Sequence, residues 1–249
     1  MSQTAIPEEI KSTTRVVGYA RPIRVLVANA KGGCGKTTLA TNLASYFARQ
    51  GEVTTLLDYD PQGSSTEWLK ARGSNLPIIN GIAAYRERNG GAGTLSWRLR
   101  VPLSTQRVVI DTPAGLHGNE LSDLIAHTDI LLIPVIPSAI DIRAATEFIR
   151  DVLLSQSYRK QPKPIAVIAN RVKRNTLVYG KLEVFLKSLG IPFIATLRDT
   201  QFYVRASEHG FGLIDFDRQH EKDLEEWIPL MKWLNSKIVE IKEALERKR

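Results

Sequence analysis

One glycine-rich segment constrains the fold of this chain more than any other feature. It reads Lys31-Gly32-Gly33-Cys34-Gly35-Lys36-Thr37-Thr38, follows an apolar run at 23–28 and precedes a helix-like pattern at 37–49. A strand, a glycine loop and a helix in this order form a phosphate-binding loop. The glycines let backbone N–H groups turn towards phosphate oxygens, and the helix contributes the positive end of its dipole. The segment therefore predicts an α/β fold with a nucleotide site.

Two lysines share this loop. In the general pattern Lys36 provides a charge for the β- and γ-phosphates, and the hydroxyl of Thr37 is a ligand for Mg²⁺. Ala30 stands where that pattern has its first glycine, and Lys31 follows as an additional cation. Cys34 is either a small residue in a tight loop or a redox-sensitive thiol, since a helix N-terminus lowers a thiol pKa. The predicted nucleotide-binding residues of the loop are Gly32, Gly33, Cys34, Gly35, Lys36, Thr37 and Thr38.

Aspartates end two further predicted strands. The first motif is Leu56-Leu57-Asp58-Tyr59-Asp60-Pro61-Gln62-Gly63, and the second is Val108-Val109-Ile110-Asp111-Thr112-Pro113-Ala114-Gly115. Acids at the carboxyl ends of parallel strands point into the crevice where open α/β sheets bind ligands. Three motifs in this order are a much more specific signal than any one of them.

Together these motifs resemble the deviant Walker A P-loop ATPases of the ParA/MinD family, with the loop form KGGxGKT. The resemblance covers about residues 23–235 and corresponds to the short ParA-like class, which lacks an N-terminal DNA-reading domain. It implies an ATPase that uses ATP and Mg²⁺, forms a homodimer when ATP is bound, and hydrolyses ATP slowly until a partner protein stimulates it.

The resemblance also assigns roles to single residues. It implies that Thr37 and Asp111 hold Mg²⁺ with support from Asp58, and that Lys36 binds phosphate. By the same resemblance Asp60 positions the attacking water. Lys31 crosses the two-fold axis to the partner's γ-phosphate, as an arginine finger does. Asn170, at the end of a later strand, is expected near adenine.

The rest of the chain agrees with one P-loop NTPase domain at 22–249, preceded by a flexible arm at 1–21. Strands at 23–29, 53–58, 107–111, 129–135, 164–170 and 191–196 alternate with predicted helices, which indicates a doubly wound, mostly parallel sheet. A mobile turn is expected at 86–93. The apolar stripe from Trp227 to Leu245 predicts a long helix that packs on the domain or forms a dimer contact. The single cysteine and the absence of an 18-residue apolar run favour a cytoplasmic protein.

The formal net charge of +8 favours a polyanionic partner. No base-reading module is recognisable, so we expect phosphate-led, sequence-independent binding of DNA on the nucleoid. A ParA-like protein would then position a cargo such as a plasmid, a chromosome or a carboxysome through a cargo-adaptor protein. A MinD-like membrane-surface ATPase is the alternative, although the charged residues at 246–249 disfavour a membrane anchor. A metabolic P-loop ligase is a remote alternative. The candidate DNA contacts are Arg171, Arg174, Arg198, Arg205 and Arg218.

Overall fold

The computed structural model describes residues 21–85, 101–172, 180, 184, 187, 191–216 and 221–247. The predicted arm at 1–21, apart from Arg21, and the predicted turn at 86–93 lie outside these residues. So do the candidate DNA contacts Arg174 and Arg218.

Seven parallel strands form a single sheet in the described part of the chain, in the order β3-β2-β4-β1-β5-β6-β7. The chain first moves outwards from β1 to β2 and β3, returns to β4, and then continues on the other side of β1. Ligands of open α/β sheets bind where the strand order reverses in this way. The strands are β1 (Ile23–Val27), β2 (Thr54–Asp58), β3 (Ile79–Ile82), β4 (Arg107–Asp111), β5 (Ile130–Val135), β6 (Ile165–Val172) and β7 (Phe193–Arg198).

Helices cover both faces of the sheet, so the predicted doubly wound fold is confirmed. Gly180, Val184 and Lys187 are also helical, in agreement with the helix predicted at 176–189. Leu213–Asp215 forms one 3₁₀ turn. The α-helices with full bounds are α1 (Lys36–Arg49), α2 (Ser64–Ala71), α3 (Gly118–Ala126), α4 (Ala139–Leu154), α5 (Gln156–Lys160), α6 (Gln201–Glu208) and α7 (Glu221–Glu246).

Alternating strand residues supply two separate apolar cores. In β1, Leu26 points to the core under α3 and α4, whereas Val25 and Val27 point to the core under α1 and α7. Every residue of β4 is buried, as expected for a strand that helices cover on both sides. This double burial fixes the strand register, because a shift by one residue would exchange the two sets of side chains.

The stripe predicted in the C-terminal segment packs against the domain. Trp227, Leu230 and Leu234 are at most 6% exposed, and Ile241 and Leu245 are partly buried against the same core. The Nε1 of Trp227 donates to the hydroxyl of Tyr203 on α6, 2.9 Å away. The helix is longer than the stripe and includes Pro229.

Candidate functional site

The glycine loop joins β1 to α1 as predicted. Gly33 and Gly35 have φ angles of 75° and 91°, a left-handed conformation that favours glycine. Gly35 occupies the N-cap position of α1, where no side chain caps the helix, and the first turn contains no acid. The backbone N–H groups of this turn are therefore available to an anion.

The two lysines of the loop lie in different environments. Lys36 is 7% exposed, and its Nζ donates to the backbone oxygen of Lys31 at 3.0 Å. The side chain of Lys31 is exposed. One cation therefore folds back into the loop while the other faces outwards.

Cys34 is buried, with 1% of its surface exposed, and its Sγ donates to the Lys31 oxygen at 3.3 Å. Burial raises the pKa of this thiol, and nearby Lys36 offsets only part of the effect. The lower pKa expected from the helix N-terminus is therefore wrong. A buried thiol is unreactive, which favours the role of a small packing residue.

Asn170 contacts the loop from the end of β6. Its Nδ2 donates to the backbone oxygen of Cys34 at 2.9 Å, and its Oδ1 accepts from the N–H of Arg171. The amide is 5% exposed. The structure thus places Asn170 against the phosphate loop; its contact with adenine stays a prediction.

The two acid-bearing strands end at the same level, because Asp58 is paired with Asp111 in the β2–β4 register. Val27, the last residue of β1, is in turn paired with Asp111 from the other side. All three predicted motifs therefore start from neighbouring strands in the centre of the sheet.

Asp111 is fully buried, and neither of its carboxylate oxygens has a hydrogen-bond partner among the described residues. Burial raises the pKa of this carboxyl to about 7, and the neighbouring Asp58 adds to the increase. The hydroxyls of Thr37 and Ser65 are close enough to oppose it in part. A buried acid without a partner is costly, and a cation beside it would remove the cost.

Asp58 is engaged within the protein. Its Oδ1 accepts from the N–H of Asp60 at 3.1 Å, and its Oδ2 accepts from both the N–H and the hydroxyl of Thr66, at 2.8 and 2.7 Å. Thr66 belongs to the first turn of α2, so Asp58 caps that helix from the end of β2. Its support of the metal stays a prediction.

Asp60 is only half-buried, and its Oδ1 accepts from the N–H of Gln62 at 3.0 Å. It lies on the loop between β2 and α2, two residues beyond the buried Asp58. Its charge is close enough to Asp111 to contribute to the raised pKa of that residue.

The candidate DNA contacts are not equivalent. Arg171 and Arg205 are exposed, and Arg171 has a left-handed backbone with φ of 53°. Arg198 instead forms an ion pair with Asp223 of α7, a residue with 1% of its side chain exposed. Its backbone N–H also donates to Glu226 at 2.8 Å. Arg198 therefore fastens α7 to β7, a function that the sequence pattern did not indicate.

A buried charge cluster near the C-terminal ends of α1 and α2 was also absent from the sequence interpretation. The Asp215 carboxylate accepts from Arg72 of α2 at 2.7 Å, from Arg49 of α1 at 2.8 Å and from Ser45 at 2.9 Å. It also accepts from the N–H of Gly212 at 2.9 Å. The cluster joins two helices of the site to the segment after α6.

Comparison of the sequence with known proteins identifies the family. The model of the CobQ/CobB/MinD/ParA nucleotide-binding domain matches residues 25–213. The chain belongs to this family. It is 30% identical over 175 residues to maintenance of carboxysome distribution protein A of Halothiobacillus neapolitanus, covering 68% of this chain and 76% of the relative.

Two further similarities concern partition proteins. A segment of 53 residues is 53% identical to the chromosome-partitioning ATPase Soj of Thermus thermophilus, covering 21% of either chain. The fold resembles the crystal structure of a plasmid partition protein of Borrelia burgdorferi bound to AMPPNP, with a TM-score of 0.64 and 19% identity. That match covers 87% of this chain and all of the neighbour, and shows the fold alone.

Proposed function

We propose that this chain is a ParA-type ATPase that dimerises on ATP, binds DNA without sequence preference and positions a cargo through partner-stimulated hydrolysis. The observation that carries the proposal is the unequal placement of its two loop lysines. Lys36 is buried within its own loop, where it can bind the phosphates of the same chain. Lys31 is exposed at the same loop, where it can bind the nucleotide of a second copy.

The Mg²⁺ that such a reaction needs fits the residues present. The buried Asp111 carboxylate has no hydrogen-bond partner among the described residues, and the Thr37 hydroxyl is nearby. Carboxylate, hydroxyl and phosphate oxygens suit Mg²⁺, which keeps several waters and needs few protein ligands. Asp111 and Thr37 would hold the ion, and it would neutralise charge on the transferred phosphoryl group.

The other residues of the site have separate roles in the proposed hydrolysis. The uncapped first turn of α1 and the ammonium of Lys36 bind the β- and γ-phosphates. Asp60 orients the water in line with the leaving oxygen, because a loose transition state requires alignment more than a strong base. Lys31 of a second copy adds positive charge as the γ-phosphate leaves. Without that copy the site lacks this second cation, so a monomer should turn over slowly.

The charge distribution supports DNA as the surface on which the dimer acts. The chain has a net charge of +8, and Arg171 and Arg205 are exposed near the carboxyl edge of the sheet. Within the described residues no helix has the length and apolarity needed to cross a membrane. Ile241 and Leu245 of the last helix turns pack inwards, which opposes the MinD-like alternative, since a surface anchor needs an exposed apolar face.

The names of two relatives support a cargo-positioning role. One of them is named for carboxysome distribution and another for chromosome partitioning. We place this chain with them as a protein that acts on the nucleoid through an adaptor protein. The cargo is a large protein assembly or a DNA molecule.

Light scattering with a slowly hydrolysed ATP analogue tests the proposal. Wild-type protein and Lys70→Ala, which removes an exposed lysine of α2 outside the loop, should become dimers. Lys31→Ala should remain monomeric, yet bind a fluorescent ATP analogue within about threefold of the wild type, because this lysine serves the other site. A wild-type dimer fraction in Lys31→Ala would refute the proposed role in trans.

A further inference from the structure

Asn29 is a buried polar residue at the end of β1 to which no function has been assigned so far. Its side chain is 1% exposed and connects two parts of the site. The Nδ2 donates to the backbone oxygen of Pro134 in β5 at 2.8 Å, and the Oδ1 accepts from the backbone N–H of Lys31 at 3.2 Å. The last backbone bond between these strands is Ala28 N–H to Leu132 O, so Asn29 continues the ladder through its side chain.

These contacts fix the backbone of Lys31 while its side chain stays exposed. The Lys31 oxygen accepts from Lys36 Nζ and Cys34 Sγ, both of which belong to the phosphate loop. The N–H of Lys31 is held from outside the loop, by Asn29. One residue earlier, the oxygen of Ala30 accepts from the N–H of Gly115 at 2.8 Å.

We expect a bound nucleotide to change the bond that the Lys31 oxygen accepts from Lys36, and to leave the bond from the Lys31 N–H to Asn29 in place. Phosphate oxygens compete for the ammonium of Lys36, so its bond to the Lys31 oxygen can be exchanged. The bond from Lys31 to Asn29 lies behind the loop, among buried strand ends. Together with the bond from Cys34 Sγ to the Lys31 oxygen, it is a constraint on Lys31 that phosphate does not displace, and it is the one that comes from outside the loop.

We infer that Asn29 is a positioning residue for Lys31: its amide anchors the loop entry to β5, so that the Lys31 side chain leaves the loop in the direction of a second copy. This inference rests on the proposed role of Lys31 in trans. A fixed backbone removes the main-chain part of the conformational freedom that Lys31 would otherwise lose on contact with the partner's γ-phosphate.

A double-mutant cycle tests the inference, with the ATP-dependent dimer dissociation constant as the readout. Asn29→Ala should weaken dimerisation about tenfold, the equivalent of one net hydrogen bond. In a Lys31→Ala background, where the residual dimerisation is followed at high protein concentration, the same change should alter dimerisation less than about twofold. Binding of a fluorescent ATP analogue by the monomer should change little.

A merely structural role predicts a different pattern. Thr128→Val is the matched control, because it removes another buried bond from a side chain to a carbonyl, Thr128 Oγ1 to Leu124 O at 2.7 Å, at the opposite edge of the sheet. It should lower the urea midpoint as Asn29→Ala does, but leave dimerisation unchanged. Equal effects of Asn29→Ala in both Lys31 backgrounds would overturn the inference.

Asn29→Asp decides the question if Asn29→Ala fails to fold. It keeps an acceptor for the N–H of Lys31 and loses the donor to Pro134, so it should dimerise better than Lys31→Ala. If it dimerises no better, the inference is wrong. If Lys31→Ala itself dimerises normally, the proposed function fails instead, so the two failures are distinguishable.

Discussion

Asn170 occupies the space that a side chain on Gly35 would fill. A Cβ built on Gly35 lies 2.0 Å from the Nδ2 of Asn170, the atom that also donates to the carbonyl of Cys34. The phosphate loop thus packs closely against β6, and Asn170 can hold its position only because Gly35 has no side chain.

This contact predicts a difference between two glycines of the loop. Gly33 and Gly35 are both left-handed, but a Cβ on Gly33 would meet nothing within 4 Å. Gly33→Ala should therefore cost only backbone strain, about 1–2 kcal/mol in the free energy of unfolding. Gly35→Ala should cost clearly more, because Asn170 must also move. Urea denaturation of the nucleotide-free protein measures both values, and the double variant Gly35→Ala/Asn170→Ala should recover part of the excess. Equal costs for the two glycines would mean that the loop avoids the clash by shifting.

The second prediction concerns the pH dependence of stability. Burial raises the pKa of Asp111 from 3.8 to about 7. An acid with a higher pKa in the folded state contributes stability that is complete below the unfolded pKa and is lost as pH rises through the folded pKa. The nucleotide-free protein should therefore lose on the order of a few kcal/mol between about pH 4 and pH 8 through this group.

Asp111→Asn should remove that pH dependence and be more stable than wild type at pH 8 without nucleotide. Adding Mg²⁺ and ATP at pH 8 should reverse the order, since only the wild type retains the carboxylate. Asp123→Asn on the exposed face of α3 is the control and should follow the wild-type profile. Thermal unfolding at pH 5, 6.5 and 8 gives the comparison. A wild-type profile in Asp111→Asn would show that this acid is ionised and compensated in the free protein.

The third prediction separates phosphate binding from water positioning. Lys36→Ala should weaken ATP binding by about tenfold or more, because its ammonium is proposed to bind the phosphates of ATP before the reaction begins. Asp60→Ala should bind ATP and dimerise, yet lose about 10²-fold in stimulated turnover. Asp60→Asn keeps an acceptor for the N–H of Gln62, so turnover that is lost in both Asp60 variants would result from the missing charge and not from a collapsed loop. Wild-type turnover in Asp60→Ala would assign the water to another residue.

The fourth prediction compares Arg198 and Arg205, which the sequence analysis gave together as candidate DNA contacts. Arg205→Glu should weaken DNA binding by the ATP dimer and lower the slope of the log–log salt plot by roughly one. Dimerisation should persist, because Arg205 is exposed and lies on α6, apart from the glycine loop that carries Lys31. Its guanidinium lies 5.7 Å from the ring of Phe202 in the same helix. Arg198→Glu should instead lower stability, since it leaves the buried Asp223 facing a like charge.

Gel shifts on two unrelated duplexes at several salt concentrations measure the first effect, and urea midpoints measure the second. Sedimentation with anionic liposomes is run in parallel. ATP-dependent sedimentation without a DNA shift would favour the membrane alternative.

Much of the site could be predicted, because the residues that form it belong to short motifs of consecutive residues. Asp58 and Asp111 each end an apolar run that can only be a buried strand, and glycines mark the turn between β1 and α1, where Lys36 begins the helix. The strands β1, β2 and β4 were predicted within about two residues of their observed bounds. Their common edge follows from parallel topology, which any alternation of strands and helices implies.

Other parts could not be predicted, because they depend on distant residues. Arg72 and Asp215 are 143 positions apart, and nothing in either neighbourhood signals that one carboxylate will receive two arginines. The same is true of the ion pair between Arg198 and Asp223, whereas contact between Arg198 and DNA stays a prediction. Short elements were missed as well. The strand Ile79–Ile82 is too brief for its period to be recognised, and the helix Gln201–Glu208 follows a loop-like stretch.

The hydrogen bonds of Asp58 have a consequence for the timing of catalysis. One carboxylate holds both the start of the Asp60 loop and the first turn of α2, so Asp60, the acid proposed to position the water, is carried on a braced segment before any nucleotide arrives. We expect the ordering of this loop to add little to the activation entropy of the proposed hydrolysis. Control of turnover can rest with the arrival of a second chain, and the acid itself needs no separate switch.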